Sequence, residues 1–172
     1  MKKTSLTQLL DIKYPIIMAP MFLVTNTKMM IEAINSGIAA CIPALNYRTD
    51  ELFRAAIQEI RSNTTSKGLG INLIVNKSNI KMTQQLKTCV DIGVDFIITS
   101  LGSPKQVIEL CKPKGIKVFC DVVEEKYAVK VEQLGADAVI AVNCNAGGHA
   151  GKLTPEEIIP LLNKHCSIPV IS

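Results

Sequence analysis

The sequence predicts an α/β protein built as a (β/α) barrel of the TIM type, and three observations carry that expectation. Seven short apolar runs alternate with amphipathic segments along the 172 residues. The runs are continuously apolar rather than alternating, as strands buried on both faces require. A helix-to-strand corner also repeats. Gly93-Val94-Asp95-Phe96-Ile97-Ile98 matches Gly135-Ala136-Asp137-Ala138-Val139-Ile140, each with a glycine ending a helix, an aspartate in the turn and an apolar strand behind it. Such corners recur in barrels because every unit re-enters the sheet in the same way.

The strand runs are Ile16–Ala19, Ile38–Ile42, Leu69–Val75, Phe96–Thr99, Lys117–Val122, Ala138–Val142 and Pro169–Ile171. Thr25 is placed as the cap of a helix carrying Met29, Met30, Ala33 and Ile34, with Gly37 as its stop. Asp50 and Glu51 fall in the first turn of a helix whose apolar face is Leu52, Phe53, Ala56, Ile57 and Ile60. Ser103-Pro104 reads as an N-cap followed by proline at the first helical position. Glu124 to Leu134 makes a helix with Tyr127, Ala128, Val131 and Leu134 on one side and Gly135 at its end. Thr154-Pro155-Glu156-Glu157 spells a capping box.

This spacing suits a barrel or a doubly wound sheet. The first strand's exit, Ala19-Pro20-Met21-Phe22-Leu23, lacks the G-x-G-x-x-G fingerprint of a dinucleotide fold. A barrel takes eight units and about 250 residues. The seventh strand falls at the last residues, so residues 1–172 read as a single incomplete barrel domain, truncated after strand seven.

Composition narrows the functional class. Nearly half of the residues are apolar, aromatics are few and tryptophan is absent, so aliphatic side chains must fill the core. The net charge of +4 comes from scattered lysines without interleaved aromatics, which gives no nucleic-acid footprint. Met1-Lys2-Lys3 opens the chain without an apolar leader behind it, and no apolar stretch is long enough to span a membrane. Cys41, Cys89, Cys111, Cys120, Cys144 and Cys166 form no C-x-x-C pair and no zinc spacing. They read as reduced thiols of a cytoplasmic protein without a metal site. Cys144 is assigned a structural role, as a buried and inert thiol.

Barrel chemistry gathers at the carboxyl ends of the strands. That rule selects Ala19, Pro20 and Met21 after strand one, Asn72 at the end of strand three, Thr99, Ser100 and Gly102 after strand four, Asp121 ending strand five, and Asn143 to Gly151 after strand six. In the last group three glycines surround His149. Glycines let backbone N–H groups approach an anion, and a histidine there can take a proton near neutral pH. Asn72, amid apolar neighbours, either reads the edge of a heterocycle or makes a turn. Asp121 reads first as a helix cap and second as an acid–base group. His165, in the last turn of a helix, suits the helix dipole and is assigned to structure.

These motifs resemble a known family. Pro15-Ile16-Ile17-Met18-Ala19-Pro20-Met21, Gly70-Ile71-Asn72-Leu73, and Gly135 to Ile140 running on to Ala146-Gly147-Gly148-His149-Ala150-Gly151 are similar to the opening strand, third strand and central signature of nitronate monooxygenases (formerly 2-nitropropane dioxygenases). The resemblance implies an FMN-binding barrel. In it Ala19, Pro20 and Met21 contact the isoalloxazine, Asn72 bonds to the flavin, Gly147 and Gly148 offer backbone, and His149 is the base. The substrate is then a nitroalkane or its nitronate, with O2 as co-substrate. Many relatives carry Glu where this chain has Asn145, and Gln or Glu where it has Val142; both departures bear on substrate more than on fold. The family's phosphate loops follow strands seven and eight, past Ser172.

Two other readings stand beside this one. A flavin-dependent enoyl-acyl-carrier-protein reductase using NAD(P)H shares the Gly-Gly-His segment. A catalytically inactive barrel fragment, stable as a homo-oligomer or with a complementary chain, would follow from the early end of the barrel.

Overall fold

A computed structural model of the chain describes residues 4–172. Met1, Lys2 and Lys3, which open the leader reading, lie outside the described residues. Seven strands, β1 (Ile17–Met18), β2 (Ala39–Pro43), β3 (Leu69–Ile74), β4 (Phe96–Ser100), β5 (Lys117–Val122), β6 (Ala138–Ala141) and β7 (Val170–Ile171), form one sheet in strict chain order. All six pairings are parallel. Helices α1 (Ser5–Leu10), α2 (Thr27–Asn35), α3 (Asp50–Ser62), α4 (Met82–Ile92), α5 (Lys105–Cys111), α6 (Glu125–Leu134) and α7 (Pro155–His165) complete the fold. Among the described residues no helix is long and apolar enough to cross a membrane.

The side chains divide into two cores by strand alternation. One face of the sheet sends Ala40, Ile42, Leu69, Ile71, Leu73, Ile97, Val118 and Val139 against Met30, Ile34, Phe53, Ile57, Leu86, Val107, Ala128 and Ile158 of helices α2 to α7. The other face sends Ala39, Cys41, Phe96, Ile98, Phe119 and Ala138 into a separate cluster, closed from below by Leu6 and Leu10 of α1. Helices α2 to α7 thus cover one face only and the strand order never reverses. This is the curled wall of a (β/α) barrel, and it excludes a doubly wound sheet. Inside, Phe96 and Phe119 stack at 5.3 Å. A Cβ at residue 70 would stand 2.2 Å from the Phe96 ring, so glycine is what admits that ring.

The repeated corner has a physical role. Gly93 and Gly135 end α4 and α6 in the left-handed conformation (φ 83° and 99°), which glycine adopts without strain. The aspartate after each then ties down the start of the preceding strand. Asp95 Oδ2 accepts from the N–H groups of Gly68 and Leu69, both at 2.8 Å, and from Arg61 Nη1 at 3.0 Å. Asp137 Oδ2 accepts from Val118 N at 2.9 Å, while its Oδ1 pairs with Lys117 Nζ at 3.1 Å.

Several local expectations change. The α2 cap is Asn26, whose side chain accepts from Met29 N, because Thr25 is buried and accepts from Met21 N instead. Pro104, not Ser103, is the residue before α5, and no side chain caps that helix. Leu52 and Tyr127 are exposed although their helical spacing placed them on apolar faces. Asn72 lies inside β3 rather than at its end, and Thr99 lies within β4 with its hydroxyl reaching Phe119 O and Cys120 Sγ, both at 3.3 Å. The Thr154–Glu157 capping box forms, with Thr154 N donating to Glu157 Oε2 at 2.8 Å.

The two clamps differ in what their loss exposes. Asp95 serves two backbone donors and its side chain is 15% exposed, against one donor and 26% for Asp137. Removing an acceptor strands each partly buried donor at about 1–3 kcal/mol. Asp95→Ala is therefore expected to cost about 2–4 kcal/mol, and Asp137→Ala about 1–2 kcal/mol, in urea unfolding at unchanged m-value. Equal losses would contradict this account of the corner.

Candidate functional site at the carboxyl ends of the strands

Because every strand is parallel, the exits of β1 to β6 open on one side of the sheet. Above the apolar floor of Phe96 and Phe119 the lumen turns polar. Asn72 Nδ2 donates to Ile98 O at 3.2 Å and to Ser100 Oγ at 2.8 Å. Ser100 Oγ in turn donates to Asp121 Oδ2 at 2.6 Å. The three residues lie on β3, β4 and β5 and form one hydrogen-bonded chain across the inner wall. Asp121 is therefore not a helix cap. The residue before α6 is Glu124, and no side chain caps that helix. Asp121 reaches into the lumen instead, where its partner is a hydroxyl from the neighbouring strand.

Burial pushes the Asp121 carboxyl above its usual range, and the Ser100 hydrogen bond opposes that shift. Cys41, on the same inner face, has its thiol pushed well up by burial first and by the Asp121 charge second. Asn72 Oδ1 accepts no hydrogen bond among the described residues. It is left as an acceptor at the lumen wall.

The exit of β1 carries Ala19, Pro20 and Met21. Ala19 and Met21 are exposed and Pro20 is half-buried. Phe22, Leu23 and Val24 follow, all exposed. This lip is not loose. Met21 N donates to Thr25 Oγ1 at 2.9 Å, Leu23 N to Asn46 Oδ1 at 2.9 Å, and Asn46 Nδ2 to Thr25 O at 2.9 Å. Leu23 is held at φ 59°, a conformation that costs a branched side chain energy and persists only where the surroundings enforce it. Sequence reasoning missed Asn46, which sits in the short turn after β2 and carries no motif around it.

The loop after β6 is framed by its own backbone. Asn143 O accepts from Ala146 N at 3.2 Å and from Gly151 N at 3.0 Å, and Cys144 N donates to Leu153 O at 2.8 Å. A Cβ at residue 151 would meet Val142 O at 2.2 Å, so this position must be glycine. At Gly147 and Gly148 a Cβ would meet nothing within 4 Å. Their side of the loop faces open space. His149 is exposed, and its imidazole makes no hydrogen bond among the described residues. Cys144 is exposed as well, its thiol 3.6 Å from Asn145 Oδ1, so its structural role cannot rest on burial as expected; Cys41, Cys89, Cys111 and Cys120 are buried. His165 lies 3.8 Å from Glu125 Oε2, in the last turn of α7.

Asp121 offers a test of the lumen's polarity. Its folded-state pKa is raised, so ionisation disfavours the folded state: the favourable contribution present below the unfolded carboxyl range is lost as pH rises through the raised value. Asp121→Asn, which keeps an acceptor for Ser100, should therefore raise the thermal midpoint at neutral pH, with the gain shrinking as pH falls through that raised value. A midpoint lowered at neutral pH would show that the carboxylate is stabilised where it stands.

The comparisons agree with this geometry. The protein-family model described as nitronate monooxygenase matches residues 76–172, more than half of the chain. A "Probable nitronate monooxygenase" of Staphylococcus haemolyticus is 28% identical over 97% of this chain and 59% of its own length. A (3aS,4S,5R,7aS)-5-hydroxy-7a-methyl-1-oxo-octahydro-1H-indene-4-carboxyl-CoA dehydrogenase of Mycobacterium tuberculosis is 27% identical over 92% of this chain and 43% of its own length. The solved structure of FabK from Thermotoga maritima superimposes with a TM-score of 0.91 at 30% identity, over 99% of this chain and 53% of that one. The chain spans about half the length of the curated relatives it matches. With a parallel barrel wall, and with residues 76–172, which carry the Gly-Gly-His loop, matched by the family model, the chain belongs to the nitronate monooxygenase family.

Proposed function

We propose that the chain forms the catalytic wall of an FMN-dependent nitronate monooxygenase, with His149 as the base. The observation that carries this reading is an exposed, unpaired imidazole in a glycine loop on the same side of the sheet as the free acceptor of Asn72. The residues present fit a flat, anionic cofactor. Gly147 and Gly148 leave open space beside their backbone, Asn72 offers Oδ1 to an N–H edge, and Ala19 and Met21 present apolar surface at the lip. FMN, when bound, supplies the redox chemistry with O2.

The chain's own residues handle binding and the proton. The unprotonated ring nitrogen of His149 accepts the acidic α-proton of a nitroalkane, leaving the nitronate anion and an imidazolium. A substrate that arrives as the nitronate skips this step. The buried floor of Phe96 and Phe119 keeps water out from beneath the site. The basic balance of the chain, +4, favours the approach of anions.

A second reading is a flavin-dependent enoyl-acyl-carrier-protein reductase using NAD(P)H. It draws support from the 0.91 TM-score with FabK at 30% identity. Oxygen uptake with propionate 3-nitronate against NADH oxidation with an enoyl thioester separates the two.

Two variants test the site. His149→Ala should reduce oxidation of the neutral nitroalkane by about 10²–10⁴-fold, the usual contribution of a general base, while sparing the nitronate. Equal losses on both substrates would remove the base role. Gly147→Ala meets no atom within 4 Å and has no left-handed φ, so its stability should stay within about 0.5 kcal/mol of wild type. FMN affinity, read by quenching of flavin fluorescence, should fall about tenfold or more if the cofactor backs onto that open space.

A further inference from the structure

The lumen chain contains a residue that the proposed chemistry does not use. We infer that Asp121 is a positioning residue, acting through Ser100 to hold the Asn72 amide with its Oδ1 presented to a ligand's N–H edge. This rests on Asn72 facing the ligand, as in the flavin reading above.

The argument follows the direction of each hydrogen bond. A hydroxyl carries one proton. Ser100 gives that proton to Asp121 Oδ2 at 2.6 Å, the shortest of the three hydrogen bonds that link Asn72, Ile98 O, Ser100 and Asp121. Its lone pairs are therefore what face Asn72, and only the amide nitrogen can approach them, as it does at 2.8 Å. The Ile98 carbonyl, 3.2 Å away, is a pure acceptor and favours the same orientation. With Nδ2 committed to two acceptors, Oδ1 is the free end. Removing the carboxylate releases the Ser100 proton to turn toward Asn72, where it attracts Oδ1 and competes with the observed orientation. Among the described residues no side chain of the inner-face core replaces the carboxylate as a strong acceptor: Cys41 carries a thiol, and Ala39, Phe96, Ile98, Phe119 and Ala138 are apolar. A ligand with a donor at that edge is thus selected by a carboxylate it need not touch.

The test is a double-mutant cycle in FMN affinity on the full chain, with Asp121→Val, Asn72→Ala and the pair. Asn72→Ala should weaken FMN by about tenfold and Asp121→Val by about three- to tenfold. The pair should be no weaker than Asn72→Ala alone, because Asp121 acts only through Asn72. Losses that multiply would overturn the inference and leave the flavin reading standing. Asp121→Ala, which also removes the carboxylate, repeats the measurement where Asp121→Val does not fold. If the wild type binds no FMN, the flavin reading fails and the ligand-free protein decides the inference. The side-chain amide protons of Asn72, followed by ¹⁵N-resolved hydrogen exchange, should exchange at least about tenfold faster in Asp121→Val or Asp121→Ala than in wild type. Unchanged exchange would overturn the positioning role.

Discussion

The structure depends on the packing of Phe96 against Phe119 inside the curl of the sheet. Their rings, 5.3 Å apart, fill a lumen beside the small residues Ala39, Cys41, Gly70 and Ala138, with Ile98 as the other large buried side chain of the strands. Large side chains on every inner position would hold the strands flat or force them apart. Two large rings among small neighbours let the parallel strands curl around them, and Leu6 and Leu10 of α1 seal the amino-terminal side. The outer aliphatic core can then be covered by helices on one face alone.

That dry floor sets the electrostatics of what lies above it. Asn72, Ser100 and Asp121 belong to the same inward-facing rows as Gly70, Ile98 and Phe119, two residues further along each strand. They stand at the step from an apolar medium to an open mouth. A carboxylate in that position is expensive to ionise, and a hydrogen bond there is stronger than in water. The Asn72 amide is consequently better fixed than an asparagine on a loop would be. Second-layer groups of this kind make a binding site specific, because they hold its donors and acceptors before any ligand arrives.

The sequence disclosed the fold through features that local physics alone dictates. Continuous apolar runs located all seven strands, and the matched corners at Gly93 and Gly135 revealed the repeating unit together with its aspartates. What remained hidden was long-range. Thr25 reads as an N-cap by its neighbours, yet it faces Met21 N, and Asn26 takes the cap. Asp121 reads as a cap because a helix begins four residues later; its hydroxyl partner is twenty-one positions back on another strand. Asn46 and the lip it anchors had no pattern at all, since their bonds span twenty-one and twenty-three residues. The α1 plug escaped for a related reason, as a six-residue helix is too short to display a period. Residues such as His149, set in a local glycine pattern, were therefore legible, whereas the network that shapes the lumen had to be seen folded.

The β6 loop shows how such a site can vary its chemistry without losing its form. Its frame consists of main-chain bonds from Asn143 O to Ala146 N and Gly151 N, with the Asn143 side chain accepting from Asn145 N at 2.8 Å. None of these bonds uses the side chain of residue 145, which is exposed. Asn145 thus carries no charge, and a different side chain there would leave the loop's path intact. Val142, half-buried just after β6, likewise sits at a position whose backbone bond to Val122 O is indifferent to the side chain. Neither side chain brings a charge to the mouth. Asp121 then carries the acidic group of the inner wall, two residues along β5 from the Phe119 floor. The frame is set by the main chain, and the side chains it carries can change without it.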